Sequence, residues 1–227
     1  MVDRNARDRL ASALQSFMDE RIAAFEFDDT ISKAVDSTRD DTVQEIGQAL
    51  WLHYDDLKDH KIVACKEEWD YFNRLLLLLQ SDAEIECART WRRWWSVRQS
   101  IAALSLAGFL GVAIHVGFGA QLFLWAIPFG VLSMLLAGWR RRELTKTTRL
   151  ELALAPFPSV GNLMRIRRRV PEFSRKRYPI DLQGRVIRNA WEYRFMMAPA
   201  AIMWPMWAPI VLLFQALPRR ATEIRIE

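Results

Sequence analysis

The chain has 227 residues, of which 51% are hydrophobic and 26% charged, with a formal net charge of +5. This length allows one or two domains with a hydrophobic core, so disulfides or a structural metal are not needed to explain folding. The two cysteines, Cys65 and Cys87, form no CxxC pair and no zinc-finger spacing, which argues against a disulfide framework and a structural zinc site.

The charge is distributed unevenly along the chain. Residues 1–88 contain 20 acids and 10 bases, a net charge of −10, whereas residues 89–227 contain 7 acids and 22 bases, a net charge of +15. This asymmetry predicts an acidic soluble domain followed by a membrane portion with basic flanks. The N-terminus lacks the apolar stretch of a signal peptide, so we expect the first domain to remain in the cytosol.

Three helices are predicted in the acidic part, at residues 6–25, Asp40–Asp59 and Lys66–Glu86. Thr38 or Asp40 can cap the second helix. The third carries five consecutive leucines, which cover every side of a helix. It is therefore either the central helix of its domain or a self-association surface.

The stretch "LWLHYDDLKDHK" lies in the second predicted helix and contains a possible metal or acid-base site. His53, Asp56 and His60 share one edge, at a spacing that could converge on a divalent metal if the third helix supplied a fourth ligand. The alternative is the solvated end of an ordinary helix, with Asp56 and His60 as a surface pair. No HExxH, phosphate-binding loop or GxSxG motif occurs. The sequence therefore favours the structural interpretation and predicts no cofactor, no metal site and no catalytic residue.

On the same helix, the predicted buried stripe comprises Val43, Ile46, Leu50 and Leu57.

A run of 41 residues without Asp, Glu, Lys or Arg, from Gln99 to Trp139, predicts two membrane spans. We place them at Val97–Val116 and Gln121–Gly138, with a turn at Gly117 and Gly119. Arginines on both flanks predict cytoplasmic ends by the positive-inside rule, and a bacterial inner membrane is the expected location. Tryptophans suited to the headgroup level stand at the borders, namely Trp91, Trp94, Trp95 and Trp139.

A third apolar run extends from Phe195 to Pro218. Pro199, Pro205 and Pro209 each remove a backbone donor, which a membrane helix tolerates only where neighbouring groups compensate. Both a kinked span and a re-entrant or interfacial segment agree with this pattern.

A basic cluster precedes the third run. Seven cations near a membrane could bind anionic headgroups, each contributing about 1 kcal/mol. The alternative is that the segment is basic only because positive-inside loops are basic. Nucleic acid is not the expected partner. The predicted headgroup-binding residues are Arg165, Arg167, Arg168, Arg169, Arg175, Lys176 and Arg177.

These patterns predict an all-α integral membrane protein. The predicted divisions are an acidic helical domain (1–90), a transmembrane hairpin (91–142), a basic cytoplasmic segment (143–194), a third membrane segment (195–218) and a tail (219–227).

For function, the sequence favours a membrane-anchored interaction or scaffold protein over an enzyme. Its predicted partners are the anionic bilayer and either another protein or a second copy, bound through the N-terminal domain. The alternatives are an oligomeric pore-forming or membrane-perturbing effector and a membrane-bound metal-dependent enzyme.

Overall fold

The computed structural model describes residues 2–91, 96–117, 119, 121–144, 153–217 and 220–226. Most of them lie in helices, which confirms the predicted helical class, and two short strands that the sequence pattern did not predict pair with each other. The elements are α1 (Arg4–Met18), α2 (Ala24–Asp36), α3 (Asp41–Trp51), α4 (Lys66–Gln80), β1 (Ile85–Trp91), α5 (Val97–Val116), α6 (Gln121–Leu144), α7 (Val160–Arg169), a 3₁₀ turn (Ile180–Leu182), α8 (Ala190–Ala216) and β2 (Arg220–Ile226).

The chain divides into two compact units, and each contains more than one segment of the sequence. Most of the predicted separate segment 143–194 belongs to the same unit as the acidic N-terminal part. Unit 1 comprises Met1–Ala88, Thr148–Ile187 and Thr222–Glu227, and unit 2 comprises Arg89–Thr147 and Arg188–Ala221.

The central helix of unit 1 is α4, which contacts α1, α3 and α7. Its five leucines, Leu75–Leu79, are each at most 3% exposed. A helix that is apolar on every side is stable in water only when other elements surround it. The structure therefore decides between the two interpretations of the leucine run in favour of a core helix.

Helix ends in unit 1 differ from the predicted ones. The predicted helix 6–25 is two helices, α1 and α2, separated by a turn in which Glu20 has a φ of 57°. α3 ends at Trp51 and not at Asp59, because the next residues form local hydrogen bonds that compete with the helix. The backbone N–H of Asp55 donates to His60 Nε2 at 2.9 Å.

A buried ion pair joins the start of α1 to the start of α3. Arg7 is 0% exposed and donates to both carboxylate oxygens of Asp40, at 2.7 and 3.1 Å. Its remaining N–H groups donate to the carbonyls of Ser81 and Ala83, both at 2.8 Å. Of the two predicted caps, Thr38 and Asp40, it is Asp40 that caps α3, and it accepts from the backbone N–H of Thr42 at 2.9 Å. One charge pair thus links three segments of unit 1.

Residues 170–187, here called the strap, are held against unit 1 by buried polar groups. Asn73, which is 3% exposed, accepts from the backbone N–H of Lys176 at 2.9 Å and donates to its carbonyl at 3.1 Å. Trp69 Nε1 donates to the same carbonyl at 3.0 Å, and the Tyr178 hydroxyl donates to the Ala64 carbonyl at 3.1 Å. These bonds make the strap an integral part of the folded unit.

In unit 2, α5, α6 and α8 contact one another pairwise. Two stretches, Val97–Val116 and Gln121–Arg140, are long and apolar enough to cross a membrane, with mean hydropathies of 1.6 and 1.9. Ser96 caps α5 by accepting from the backbone N–H of Gln99, and α5 ends at Gly117. The φ of 80° at Gly117 is one that glycine adopts without strain.

Polar bonds attach the C-terminal half of α8 to the other two helices. Ser133 Oγ accepts from Trp204 Nε1 at 2.8 Å, and the Ser133 carbonyl accepts from Gln215 Nε2 at 3.1 Å. Gln99 Nε2 donates to the Leu217 carbonyl at 3.0 Å, so the end of α8 lies beside the first turn of α5. α8 is helical throughout, including at its three prolines.

Candidate lipid-headgroup interface

The structure does not bring His53, Asp56 and His60 together. Both ring nitrogens of His60 bond to backbone groups, Nε2 accepting from Asp55 N–H at 2.9 Å and Nδ1 lying 2.7 Å from the Lys61 carbonyl. Among the described residues, no group of three or more His, Cys, Asp or Glu side chains is placed to hold a metal ion. The shared edge was predicted for a helix that, in the structure, ends before all three residues.

His53 instead lies at the side of the core. Its ring packs edge-on to Phe72 at 5.1 Å, and Nδ1 is 3.7 Å from a Glu68 oxygen. Burial lowers the pKa of His53, and this effect outweighs the opposite effect of Glu68. We therefore expect a neutral imidazole at pH 7 with a packing role.

Three of the seven predicted headgroup-binding cations interact with unit 1 itself. Arg175 pairs with Asp70, and Lys176 with Asp19. Arg167 donates to the Phe173 carbonyl, and its guanidinium lies 4.7 Å from the centre of the Phe173 ring. These contacts hold the strap in place, so we assign the three side chains a structural role.

The other four, Arg165, Arg168, Arg169 and Arg177, are exposed. The first three lie on the outer side of α7, whose inner side buries Ile166 at 2% exposure. They occupy the last half of the helix, where cations also complement the helix dipole.

The outer side of α7 also carries apolar residues. Val160 and Met164 are each 53% exposed and, with Arg168, follow a spacing of four, which places them on one face of a helix. Arginines beside exposed apolar side chains are typical of a helix at a membrane surface. The residues Val160, Met164, Arg165, Arg168 and Arg169 are called the α7 face below.

No protein-family model, characterised protein or solved structure matches the chain in sequence or structure comparisons.

A second exposed group lies at the end of α3 and in the loop that follows. Trp51, Leu52 and Leu57 are 54%, 77% and 71% exposed. The prediction that Leu57 is buried is wrong, although Val43, Ile46 and Leu50 are buried as predicted. Once the helix stops at Trp51, its periodicity no longer determines the direction of Leu57. These three residues, called the α3-loop patch, were not predicted as a surface.

Proposed function

We propose that this protein is a membrane-anchored interaction protein, in which unit 2 inserts into the bilayer and unit 1 is displayed beside an anionic membrane surface. The observation that carries this proposal is the exposed apolar surface of α5 and α6. Only 22% of each candidate span is buried, and Leu104, Ile114 and Leu124 are 74%, 82% and 71% exposed. Apolar patches of this extent are unfavourable in water but favourable in lipid.

The α7 face supports contact between unit 1 and anionic headgroups. It offers three exposed arginines that form no ion pair with the described acidic side chains, and its helix is anchored to unit 1 through the buried Ile166. Each cation near an anionic surface contributes about 1 kcal/mol, so the three together shift a contact equilibrium roughly a hundredfold.

The α3-loop patch supports binding of a protein partner or a second copy. Tryptophan is enriched among the residues that contribute most to binding at protein interfaces, and Trp51 stands next to the exposed Leu52 in the chain. Asp55, Asp56 and Asp59 lie in the same loop, and a partner with basic groups at the edge of its own apolar surface would complement them. The buried leucines of α4 have no part in this interface.

Membrane anchoring is tested by alkaline carbonate extraction of membranes from cells that express the full-length protein. We expect the protein to remain with the lipid pellet, since only integral segments resist this treatment. Release into the supernatant would remove the basis of the proposal.

Headgroup contact is tested in proteoliposomes with a fluorophore on Gly161→Cys, beside the α7 face, and quenchers on lipid headgroups. Cys65 and Cys87 are replaced by serine in this protein. Quenching should be stronger in anionic than in zwitterionic bilayers. The variant Arg165→Gln/Arg168→Gln/Arg169→Gln should lose that difference.

The matched control removes three exposed cations elsewhere in unit 1, with the substitutions Arg9→Gln, Lys33→Gln and Arg39→Gln. Because the net charge changes equally, a general electrostatic effect would weaken quenching in both variants. Equal loss in the two variants would argue against a specific role of the α7 face.

A further inference from the structure

Both ends of α8 are connected to unit 1 by short segments. Ile187 belongs to unit 1, where its carbonyl accepts from Lys58 Nζ at 3.1 Å, and α8 begins at Ala190. After α8 ends at Ala216, unit 1 resumes at Thr222.

These connections are too short for α8 to cross a bilayer. The hydrocarbon core is about 30 Å thick, whereas an extended chain reaches about 3.5 Å per residue. The five residues 217–221 therefore reach about 18 Å, and the two residues 188–189 reach about 7 Å. If unit 1 lies on one side of the membrane, both ends of α8 lie on that side.

Burial along α8 separates the helix into two halves. The C-terminal half packs on α5 and α6, with Ala208 and Leu212 both 0% exposed. In the N-terminal half, every residue from 190 to 200 is exposed. The first half of the helix therefore leaves the packed bundle and needs another environment for its side chains.

The exposed half has the composition of a membrane interface. Trp191, Tyr193 and Phe195 are 75%, 56% and 76% exposed, and Glu192 and Arg194 lie between them. Amphipathic aromatic rings are enriched at the headgroup level, where charged neighbours remain hydrated.

We propose that α8 does not cross the membrane but lies obliquely in the leaflet adjacent to unit 1, with residues 190–200 docked in the boundary between headgroups and acyl chains. The occupant of this exposed surface is the lipid bilayer itself. This inference rests on the proposed anchoring by α5 and α6.

The first test determines the side of the membrane on which each end of α8 lies. Single cysteines at Val186, Leu217 and the exposed Ser12 of unit 1 are introduced into full-length protein in which Cys65 and Cys87 are serine. The proteins are reconstituted in sealed vesicles and treated with a membrane-impermeant maleimide. All three positions should label to the same extent. If instead the labelled fraction at Val186 equals the unlabelled fraction at Leu217, the two ends lie on opposite sides, so α8 spans the membrane and the inference is overturned.

The second test measures depth, with a fluorophore on Phe195→Cys and, as the control, on Leu104→Cys in α5. Lipids carrying a quencher near the headgroup should quench the Phe195 label more strongly, and lipids carrying one near the chain end should quench the Leu104 label more strongly. A Phe195 label as deep as the Leu104 label would contradict the docked position. Shallow or absent quenching at Leu104 would instead show that the proposed anchoring itself fails.

Discussion

Replacing Arg7 by methionine tests the structural role of the buried charge pair. Methionine keeps much of the side-chain volume but removes donors to Asp40, Ser81 and Ala83, which Arg7 contacts at 2.7 to 3.1 Å. Breaking a buried pair by removing one partner costs about 3–5 kcal/mol, because the remaining charge stays buried. For a unit of this size, the loss corresponds to a fall in Tm of about 10–20 °C.

The assay is thermal unfolding of the full-length protein in detergent, followed by hydrogen exchange of amides in α1 and α3. The control is Arg9→Met on the same helix, where the arginine is exposed and its loss should change stability by less than about 0.5 kcal/mol. The double variant Arg7→Met/Asp40→Asn should recover part of the loss, because the uncompensated charge is removed. A Tm for Arg7→Met equal to that of the control would show that the buried pair does not stabilise unit 1.

Four further predictions concern Asp40, the strap, the leucines of α4 and the α3-loop patch. Burial raises the pKa of Asp40, but hydrogen bonds from Arg7 and from backbone N–H groups outweigh this effect and hold the pKa below its usual value. The resulting stability is present above the usual pKa and is lost as the pH falls through the lowered pKa of the folded protein. The free energy of unfolding should therefore fall on acid titration, and Arg7→Met should abolish this fall. Asn73→Ala leaves the Lys176 N–H without its partner and its carbonyl with Trp69 Nε1 alone, so trypsin should cleave the strap at Arg175 to Arg177 faster, and unchanged cleavage would argue against the role of Asn73 in holding the strap. Leu78→Ala should lower the free energy of unfolding by about 2–5 kcal/mol, whereas Leu52→Ala, at 77% exposure, should leave it unchanged in denaturant titrations. Trp51→Ser/Leu52→Ser/Leu57→Ser should reduce the mass of any protein complex in detergent measured by light scattering, and Ile180→Ser/Val186→Ser, also exposed in unit 1, should not.

The helical class and the bounds of the first candidate span could be predicted from the sequence because long apolar runs and capping residues act locally. Ser96 and Gly117 bracket α5 at the predicted residues. Asp40, one of the two caps that the sequence allowed with Thr38, is the N-cap of α3.

Long-range contacts limited the rest of the prediction. Phe17 and Phe27 stack at 4.4 Å and so hold two helices together where the periodicity indicated one. The amide of Asn73 binds a backbone group 103 positions away, which no local pattern encodes. The Lys176 side chain likewise pairs with Asp19, 157 positions away, whereas Arg165, in the same basic cluster, is exposed. The side chains at 92–95, which include two of the predicted border tryptophans, lie outside the described residues.

Both proposals require that α5 and α6 anchor the protein as a hairpin, and this is tested by labelling of single cysteines at Ser12, Gly119 and Ser174. Ser12 and Ser174 belong to separate segments of unit 1, whereas Gly119 lies between the two helices. With an impermeant maleimide on sealed vesicles, Ser12 and Ser174 should label to the same extent. The labelled fraction at Gly119 should equal the fraction of Ser12 that stays unlabelled, because the two positions lie on opposite sides of the membrane. Equal labelling at all three positions would show that α5 and α6 do not form a transmembrane hairpin.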